Sequence, residues 1–226
     1  MIELETVSLS YEGRSVLHDI SLKLTERRIA IVGSNGSGKS SFVRLLNGLR
    51  LPTEGRVRVD GLDTRSAGRE VRRKVGFVFQ NPDNQIVFPL VSEDVAFGLK
   101  NQRVAPAERD RLVKEILTHY DLWSLRDHPS HNLSGGQKQL LAIAGVLVMQ
   151  PDYVVMDEPT TLLDLRNKLR IERAITALEQ TTIVVTHDLD LISDFDRVIV
   201  FDRGRILADD CPGPALRRYI GAMQDA

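Results

Sequence analysis

The sequence predicts an α/β fold with a mainly parallel core sheet, an antiparallel β region and a helical subdomain. Three observations lead to it. Short β-branched runs alternate with amphipathic stretches, the apolar run at 28–32 ends in a glycine-rich turn, and the apolar spacing becomes helical between residues 81 and 150. We expect a single domain over residues 1–226, with a core formed by residues 1–80 and 151–226 and a helical subdomain at about 81–150.

Composition excludes several classes of protein. The chain has 30 Lys and Arg against 31 Asp and Glu, a net charge of −1, so its surface is not polybasic and we expect no nucleic-acid partner. The single cysteine, Cys211, excludes an intrachain disulfide and fits a reducing compartment. No signal peptide is visible, and the longest uncharged stretch, 139–151, is shorter than the roughly 20 apolar residues of a membrane helix. If the protein acts at a membrane, we expect another chain to cross it.

The individual elements follow from the period of the apolar residues and from the turn signals between them. The β-branched runs predict strands at 7–11, 21–24, 28–32, 57–59, 75–79, 153–156 and 182–185, and a final hairpin of 198–201 and 205–208. Apolar residues at helical spacing predict helices at 39–49, 92–101, 106–120 and 135–149, one between 165 and 178, and a short helix at the end of the chain.

A glycine-rich loop follows the strand at 28–32. Its residues satisfy the pattern G-x-x-x-x-G-K-[ST] between a strand and a helix, which is the context that this pattern requires. The glycines let backbone N–H groups point inward, and the helix N-terminus adds about half a positive charge at the same place. We expect Lys39 to meet the β- and γ-phosphates of a nucleotide and Ser40 to bind Mg²⁺, whereas a merely flexible loop would not need this context. The predicted phosphate-binding residues are Gly33, Ser34, Asn35, Gly36, Ser37, Gly38, Lys39, Ser40 and Ser41.

A later core strand ends in two acidic residues, Asp157 and Glu158. At a strand terminus Asp157 is placed to hold Mg²⁺, and Glu158 can polarise an attacking water. Elsewhere such a pair is usually only the solvated start of a loop, but downstream of a phosphate-binding loop the functional interpretation is favoured. Together the two motifs predict hydrolysis of a nucleotide.

The segment Leu-Ser-Gly-Gly-Gln at 133–137 opens the helix predicted at 135–149. Ser134 can cap this helix, while Gly135 and Gly136 expose backbone N–H groups, so the segment forms a second anion-binding helix terminus. A chance Ser-Gly-Gly turn is common. This five-residue string between a phosphate-binding loop and an Asp-Glu strand end is not.

With these motifs in this order, the chain resembles the ATP-binding-cassette ATPases over essentially its whole length. The matching residues also include Gln80 after a core strand, Pro159, Asp164 and the run at 186–188. The resemblance implies an ATPase that uses ATP and Mg²⁺, with Asp164 as part of the nucleotide site.

The resemblance implies roles for further residues. Tyr11 would stack on adenine, its alternative role being that of a strand aromatic. Gln80 would touch Mg²⁺ and the attacking water and report the nucleotide state to a partner. His187 would hold the γ-phosphate, and it follows a predicted strand at the sheet edge where ligands gather. The remaining histidines lack this context and are interpreted as surface or packing residues: His18, His119, His128 and His131.

The same resemblance implies a head-to-tail dimer of ATPase subunits, with a homodimer favoured over a pair of related chains. The residues Ser134, Gly135, Gly136 and Gln137 would then complete the nucleotide site of the opposite subunit. Two helix N-termini facing one triphosphate depend on its negative charge, so loss of the γ-phosphate would favour separation.

The segments 80–85, 87–88 and 93–98 resemble the energy-coupling-factor branch of these ATPases. Members of that branch power the uptake of vitamins or of cobalt and nickel ions, with a coupling membrane protein and a substrate-binding membrane protein as partners. The compact end after the final hairpin is most similar to that of biotin-transporter ATPases, so biotin is favoured over a transition-metal ion. This branch implies a peripheral position on the cytoplasmic face of the cell membrane.

The sequence departs from the family pattern in two places. Leu140 stands where the family usually has Arg, and Thr161-Leu162-Leu163 replaces small residues before Asp164.

Two other functions stay open. A cell-division type regulator, in which ATP drives a conformational signal without transport, is opposed only by the segment 81–83. A DNA-handling ATPase would need a long coiled coil between the phosphate-binding loop and 133–137, and no sustained heptads occur there.

Overall fold

The computed structural model describes residues 1–161 and 163–224 and divides them into two compact units. Within these residues no helix is both long enough and apolar enough to span a bilayer. The core unit comprises residues 1–75, 152–158 and 179–224, and the helical unit comprises residues 76–151, 159–161 and 163–178.

The elements have the following bounds in chain order. The strands are β1 (Ile2–Tyr11), β2 (Arg14–Leu24), β3 (Arg28–Gly33), β4 (Glu54–Val59), β5 (Leu62–Asp63), β6 (Val75–Val78), β7 (Tyr153–Asp157), β8 (Thr181–Val185), β9 (Arg197–Asp202) and β10 (Arg205–Asp210). The helices are α1 (Lys39–Leu46), α2 (Gly68–Lys74), α3 (Val91–Asn101), α4 (Pro106–His119), α5 (Gly135–Leu147), α6 (Leu165–Thr176) and α7 (Pro212–Gln224).

The core unit contains a mainly parallel sheet in the order β10-β9-β3-β8-β7. The strands β9, β3, β8 and β7 run parallel, and only β10 is antiparallel to its neighbour. The parallel strands are buried along nearly their whole length, which is why each one is a continuous apolar run in the sequence. Because parallel strands start at one edge of a sheet, their carboxyl ends share the other edge, where the predicted site residues follow.

A second, antiparallel sheet of the core unit has the order β2-β1-β4-β5. Buried and more exposed residues alternate along much of β1 and along the second half of β2, as expected for strands with one face on a core. The predicted fold class, a mainly parallel sheet with an antiparallel β region and helices, is confirmed.

The helical unit contains α3 to α6. Its most buried helix is α5, in which the buried positions surround the axis rather than lie on one face. Leu140, which replaces the Arg usual in the family, is 3% exposed in this helix. The extent of the helical subdomain stays a prediction.

Four elements of the structure differ from the prediction. The first helix was predicted to run to residue 49, but α1 ends at Leu46, because the chain turns at Asn47 and Gly48 has a φ of 69°. The first two strands are longer than predicted and begin at Ile2 and Arg14. The helix α2 was not predicted, since five of its seven residues are charged and only Val71 is buried.

Candidate functional site

The predicted phosphate-binding loop lies between β3 and α1, as its pattern requires. The helix starts after Gly38, whose φ is 103°, and no side chain caps it. The first N–H groups of α1 are therefore not satisfied by a capping side chain and are available to an anion. The Phe42 ring packs against Phe201 of β9 with 4.9 Å between ring centroids, which fixes the helix against the sheet.

Gly33 shows how tightly this loop is packed. Its φ is 152°, and a Cβ atom added there would lie 2.3 Å from the carbonyl oxygen of Phe201 and 2.8 Å from Ser37 Oγ. Any other residue would displace backbone at the point where β3 turns into the loop. The absence of a side chain at Gly33 therefore lets the start of the loop pack closely against β9.

Lys39 is buried under this loop with 4% of its surface exposed. Its ammonium group donates hydrogen bonds to the carbonyl oxygens of Gly33 and Ser34 at 2.8 and 2.9 Å. Burial lowers the pKa of Lys39, while the carboxylates of Glu158 and Asp157 act in the opposite direction. The lysine thus lies between the loop and the two acidic residues, where a phosphate could meet it.

Asp157 ends β7 and is 2% exposed. Ser40 Oγ donates to its Oδ1 at 2.9 Å, and a guanidinium nitrogen of Arg44 lies 3.6 Å from its Oδ2. Burial raises the pKa of Asp157, a cost that the hydrogen bond from Ser40 and the charge of Arg44 partly offset. A hydroxyl and a carboxylate oxygen at this separation, next to a phosphate-binding loop, form the oxygen donor set that suits Mg²⁺.

Glu158 and His187 follow the adjacent parallel strands β7 and β8. Glu158 has a φ of 51°, an uncommon value for a residue with a side chain, and its N–H donates to the carbonyl of Val185 at 2.9 Å. His187 Nε2 lies 3.3 Å from Glu158 Oε1. The structure therefore brings together Lys39, Asp157, Glu158 and His187, which are distant in the sequence.

Tyr11 lines a cavity of about 720 Å³ in the core unit, together with Gly36 of the phosphate-binding loop. The guanidinium carbon of Arg50 lies 5.4 Å from the Tyr11 ring centroid. The volume is enough for the nucleoside part of a nucleotide whose phosphates occupy the loop.

Several residues that line this cavity are not among the predicted site residues. His18, interpreted as a surface or packing residue, lies in the cavity wall. The sequence contains no local pattern that indicates these residues, because they approach the phosphate-binding loop only through the pairing of β1 with β2 and through the turn between β9 and β10. The additional lining residues are Glu12, Arg14, Ser15, Val16, His18, Arg203 and Gly204.

In the helical unit the predicted cap of α5 is present. Ser134 Oγ accepts from the N–H of Gln137 at 3.3 Å, and Gln137 Oε1 accepts from the N–H of Ser134 at 2.9 Å, which forms a capping box. A Cβ atom at Gly136 would lie 2.3 Å from the side chain of Asn167. Asp164 caps α6 through Oδ1, which accepts from the N–H of Asn167 at 2.8 Å. Both helix starts therefore use their polar side chains internally.

Gln80 follows β6 in the helical unit and precedes a 3₁₀ turn at Pro82–Asn84. Asn81 Oδ1 accepts from the N–H of Asp83 at 2.9 Å and caps this turn. Asp83 forms an ion pair with Lys138 at 2.7 Å, and Gln85 Nε2 donates to the carbonyl of Ala142 at 2.9 Å. The segment that resembles the energy-coupling-factor branch is thus attached to α5.

The second departure from the family pattern lies before Asp164. Leu162 lies outside the described residues. Leu163 Cδ2 lies 3.8 Å from the position that a Cβ atom would take on Gly135.

Comparisons with known proteins show the family to which the chain belongs. The family model described as ABC transporter matches residues 17–161. An ABC transporter ATP-binding protein of Deinococcus radiodurans, for which no solute is named, is 65% identical over 219 residues, or 97% of each chain. The biotin transport ATP-binding protein of Rhizobium etli is 44% identical over 96% of this chain and 97% of its own length. The energy-coupling factor transporter ATP-binding protein of Caldanaerobacter subterraneus is 43% identical over 94% of this chain and 81% of its own.

Solved structures are similar over nearly the whole chain. The protein cbiO1 of Clostridium perfringens, part of the ABC transporter complex cbiONQ, has a TM-score of 0.84 at 31% identity and covers 100% of this chain and 98% of its own. A dimeric ATP-binding cassette in a post-hydrolysis state, bound to ADP and Pi, has a TM-score of 0.82 at 29% identity, with 94% and 99% covered.

Proposed function

The chain belongs to the ABC transporter family, and we propose that it powers an energy-coupling-factor type importer that takes up biotin or, as second candidate, a transition-metal ion. As a member of the family it is an ATPase whose hydrolysis of ATP is coupled to transport across a membrane. The observation that carries the finer proposal is the likeness to the Rhizobium etli biotin transport protein, which extends over nearly the whole of both chains.

The core unit supports the binding step. We expect the phosphates to lie on the backbone N–H groups at the start of α1, with the buried ammonium of Lys39 exchanging the loop carbonyls for phosphate oxygens. Ser40 and Asp157 would hold Mg²⁺, which supplies charge neutralisation at the β- and γ-phosphates when it is bound. Tyr11 would stack on the adenine in the cavity beside Gly36.

Glu158 and His187 support the hydrolytic step. Glu158 would accept a hydrogen bond from the attacking water and take its proton, the role of a general base. His187 lies within 3.3 Å of the Glu158 carboxylate and would both orient it and contact the γ-phosphate. The backbone of Glu158 is fixed at the end of β7 by the hydrogen bond from its N–H to the carbonyl of Val185, which places its side chain next to His187.

The helical unit supports coupling to partners. Gln80 would touch Mg²⁺ and the attacking water and transmit the nucleotide state, and the ties Asp83–Lys138 and Gln85–Ala142 connect its segment to α5. At the start of α5, Ser134 to Gln137 would complete the site of a second ATPase subunit, and Asp164 would lie at the same dimer interface. We favour a homodimer.

The remaining partners are the coupling membrane protein and the substrate-binding membrane protein of such an importer. The chain would bind the coupling protein peripherally, on the cytoplasmic face of the cell membrane where ATP is available. The partner proteins, not this chain, would select the solute.

An uptake assay tests the proposed cargo. Cells that lack the chain are complemented with the wild type, with Glu158→Gln or with the surface variant Lys23→Ala, and uptake of labelled biotin, cobalt and nickel is measured. We expect the wild type and Lys23→Ala to restore biotin uptake and Glu158→Gln not to restore it. Restored uptake of cobalt or nickel alone would select the second cargo. Restoration of none of the three solutes would contradict the importer proposal and leave only the family assignment.

A further inference from the structure

Three hairpins of the core unit have two-residue turns in which both central residues have positive φ. They are Glu12-Gly13, Asp60-Gly61 and Arg203-Gly204, which join β1 to β2, β4 to β5 and β9 to β10. Turns of this kind strongly favour Asn, Asp or Gly at the first central position, because other residues are strained there. Asp60-Gly61 follows this preference. The other two turns do not, since their first positions hold Glu and Arg.

The two turns with unfavoured residues are the two that line the cavity beside Gly36. Arg203 has a φ of 45° and Glu12 a φ of 48°. A long charged side chain at a position where the backbone favours a short one is an outlier that points towards function rather than stability. Asp60-Gly61, the turn outside the cavity, provides the internal comparison.

The β9–β10 turn is attached to the phosphate-binding loop by its backbone. The N–H of Gly204 donates to the carbonyl of Ser37 at 3.0 Å, and its carbonyl accepts from the N–H of His18 at 3.0 Å. A Cβ atom on Gly204 would lie 2.3 Å from the carbonyl oxygen of Val16, so only glycine permits this approach. These contacts hold Arg203 at the cavity wall between the loop and β2.

The Arg203 side chain is exposed, and no carboxylate of the described residues lies within ion-pair distance of it. A guanidinium group carries five N–H donors in a planar fork and no acceptor. The acceptors that a nucleoside offers are its ribose oxygens and the ring nitrogens of its base. Tyr11, expected to stack on the base, lines the same cavity.

We propose that Arg203 is a nucleotide-binding residue that donates hydrogen bonds to the ribose or base of the bound nucleotide, so that the β9–β10 turn forms a third wall of the site. This inference rests on the proposed ATP site and adds to it a residue outside the phosphate-binding loop and outside the segments proposed to complete the site of a second subunit.

Titration calorimetry of the full chain with ATP, ADP and inorganic tripolyphosphate tests the assignment. Arg203→Asn removes the guanidinium and gives the turn the residue that it favours, and Arg203→Lys keeps the charge. Arg205→Asn is the matched control, because Arg205 is exposed in the same hairpin but does not line the cavity.

We expect Arg203→Asn to weaken ATP and ADP binding by about tenfold each, the scale of one hydrogen bond to a charged group, and to leave tripolyphosphate binding unchanged. Its melting temperature should equal or exceed that of the wild type, since Asn suits the turn. Arg203→Lys should recover part of the loss, and Arg205→Asn should bind all three ligands like the wild type.

Unchanged ATP and ADP affinity in Arg203→Asn would overturn the inference, and so would an equal loss for tripolyphosphate, which would assign Arg203 to the phosphates or to the stability of the loop. These outcomes leave the proposed function intact. A wild-type chain that binds tripolyphosphate but not ATP would instead contradict the proposed function itself.

Discussion

The polar site residues of the two units differ in burial and in hydrogen bonding. In the core unit, Lys39 and Asp157 are buried, and burial shifts both pKa values towards the neutral form. In the helical unit, Ser134 and Asp164 are helix caps with ordinary hydrogen bonds to their own helices. Burial of these two charged groups costs stability, and we expect a bound phosphate and Mg²⁺ to offset that cost. The caps of the helical unit already contribute stability without a ligand.

This difference indicates how each region would meet a nucleotide. The core unit offers side chains, whereas the helical unit offers mainly the backbone N–H groups at the start of α5, because the side chains there are engaged. Variants of the core unit should therefore change binding or chemistry, and cap variants of the helical unit should first change stability. Four sets of measurements test this contrast.

The largest effect is expected for Glu158→Gln. The substitution keeps the size of the side chain but removes the general base, so turnover should fall by at least about 10²-fold. ATP affinity should be retained, because Lys39 and the loop are untouched. Steady-state ATPase assays and calorimetry measure the two quantities, with Lys23→Ala as control. Unchanged turnover would remove Glu158 from this role.

Lys39→Ala should weaken ATP binding by at least about tenfold, because it deletes the buried cation that faces the phosphate position. The loss should extend to tripolyphosphate, in contrast to Arg203→Asn. Calorimetry with both ligands is the measurement. Wild-type affinity in this variant would place the phosphates somewhere other than the loop.

Ser134→Ala should lower the free energy of unfolding by about 1 kcal/mol, the usual cost of losing an N-cap. The ATP affinity of the isolated subunit should not change, because the residue is expected to serve the opposite subunit. Ser134→Asp keeps a capping oxygen and should retain the stability. Denaturant unfolding checks the first statement and calorimetry the second. If Ser134→Ala kept its stability but bound ATP more weakly as a monomer, the proposed difference between the two units would be wrong.

The smallest effect concerns Asp94, a half-buried carboxylate of the helical unit whose Oδ1 accepts from the N–H groups of Val87 and Phe88. Burial raises its pKa above the ordinary 3.8, although these two hydrogen bonds oppose the shift. The folded state therefore disfavours the ionised form, and this penalty is present at neutral pH and disappears as the pH falls through the raised pKa.

Asp94→Asn keeps an acceptor oxygen without the charge, so it should be slightly more stable than the wild type at pH 7, and the difference should narrow towards pH 4. Asp94→Ala is the comparison variant. It removes the acceptor of both N–H groups, of which only that of Phe88 is partly buried, and should lose about 0.5–1 kcal/mol. Denaturant unfolding at both pH values measures the differences. A gap between Asp94→Asn and the wild type that widens on acidification would show that burial does not dominate at this carboxylate.

The chemistry of the site was readable in the sequence because it lies in short contiguous patterns at strand ends. The loop at 33–40 and the pair Asp157-Glu158 each follow a continuous apolar run, and parallel strands bring their carboxyl ends to one edge. The family and the mainly parallel fold followed from the same patterns and are confirmed. The roles assigned to single residues stay predictions.

The parts that sequence reasoning missed depend on distant pairings. His18 and Arg203 reach the cavity only because the β9–β10 turn bonds to both the loop and β2, and neither residue has a local pattern that indicates it. The left-handed backbone of Glu158 was equally invisible, since Glu has no preference for that conformation. The helix α2 was missed because charge outweighs its single buried residue.

The most direct test of the account is a crystal structure of Glu158→Gln with ATP and Mg²⁺. We predict the triphosphate on the loop at 33–41, the metal ion on Ser40 and Asp157, and the start of α5 from a second copy on the γ-phosphate. A triphosphate bound away from Lys39, or one that Ser134 of neither copy approaches, would contradict it.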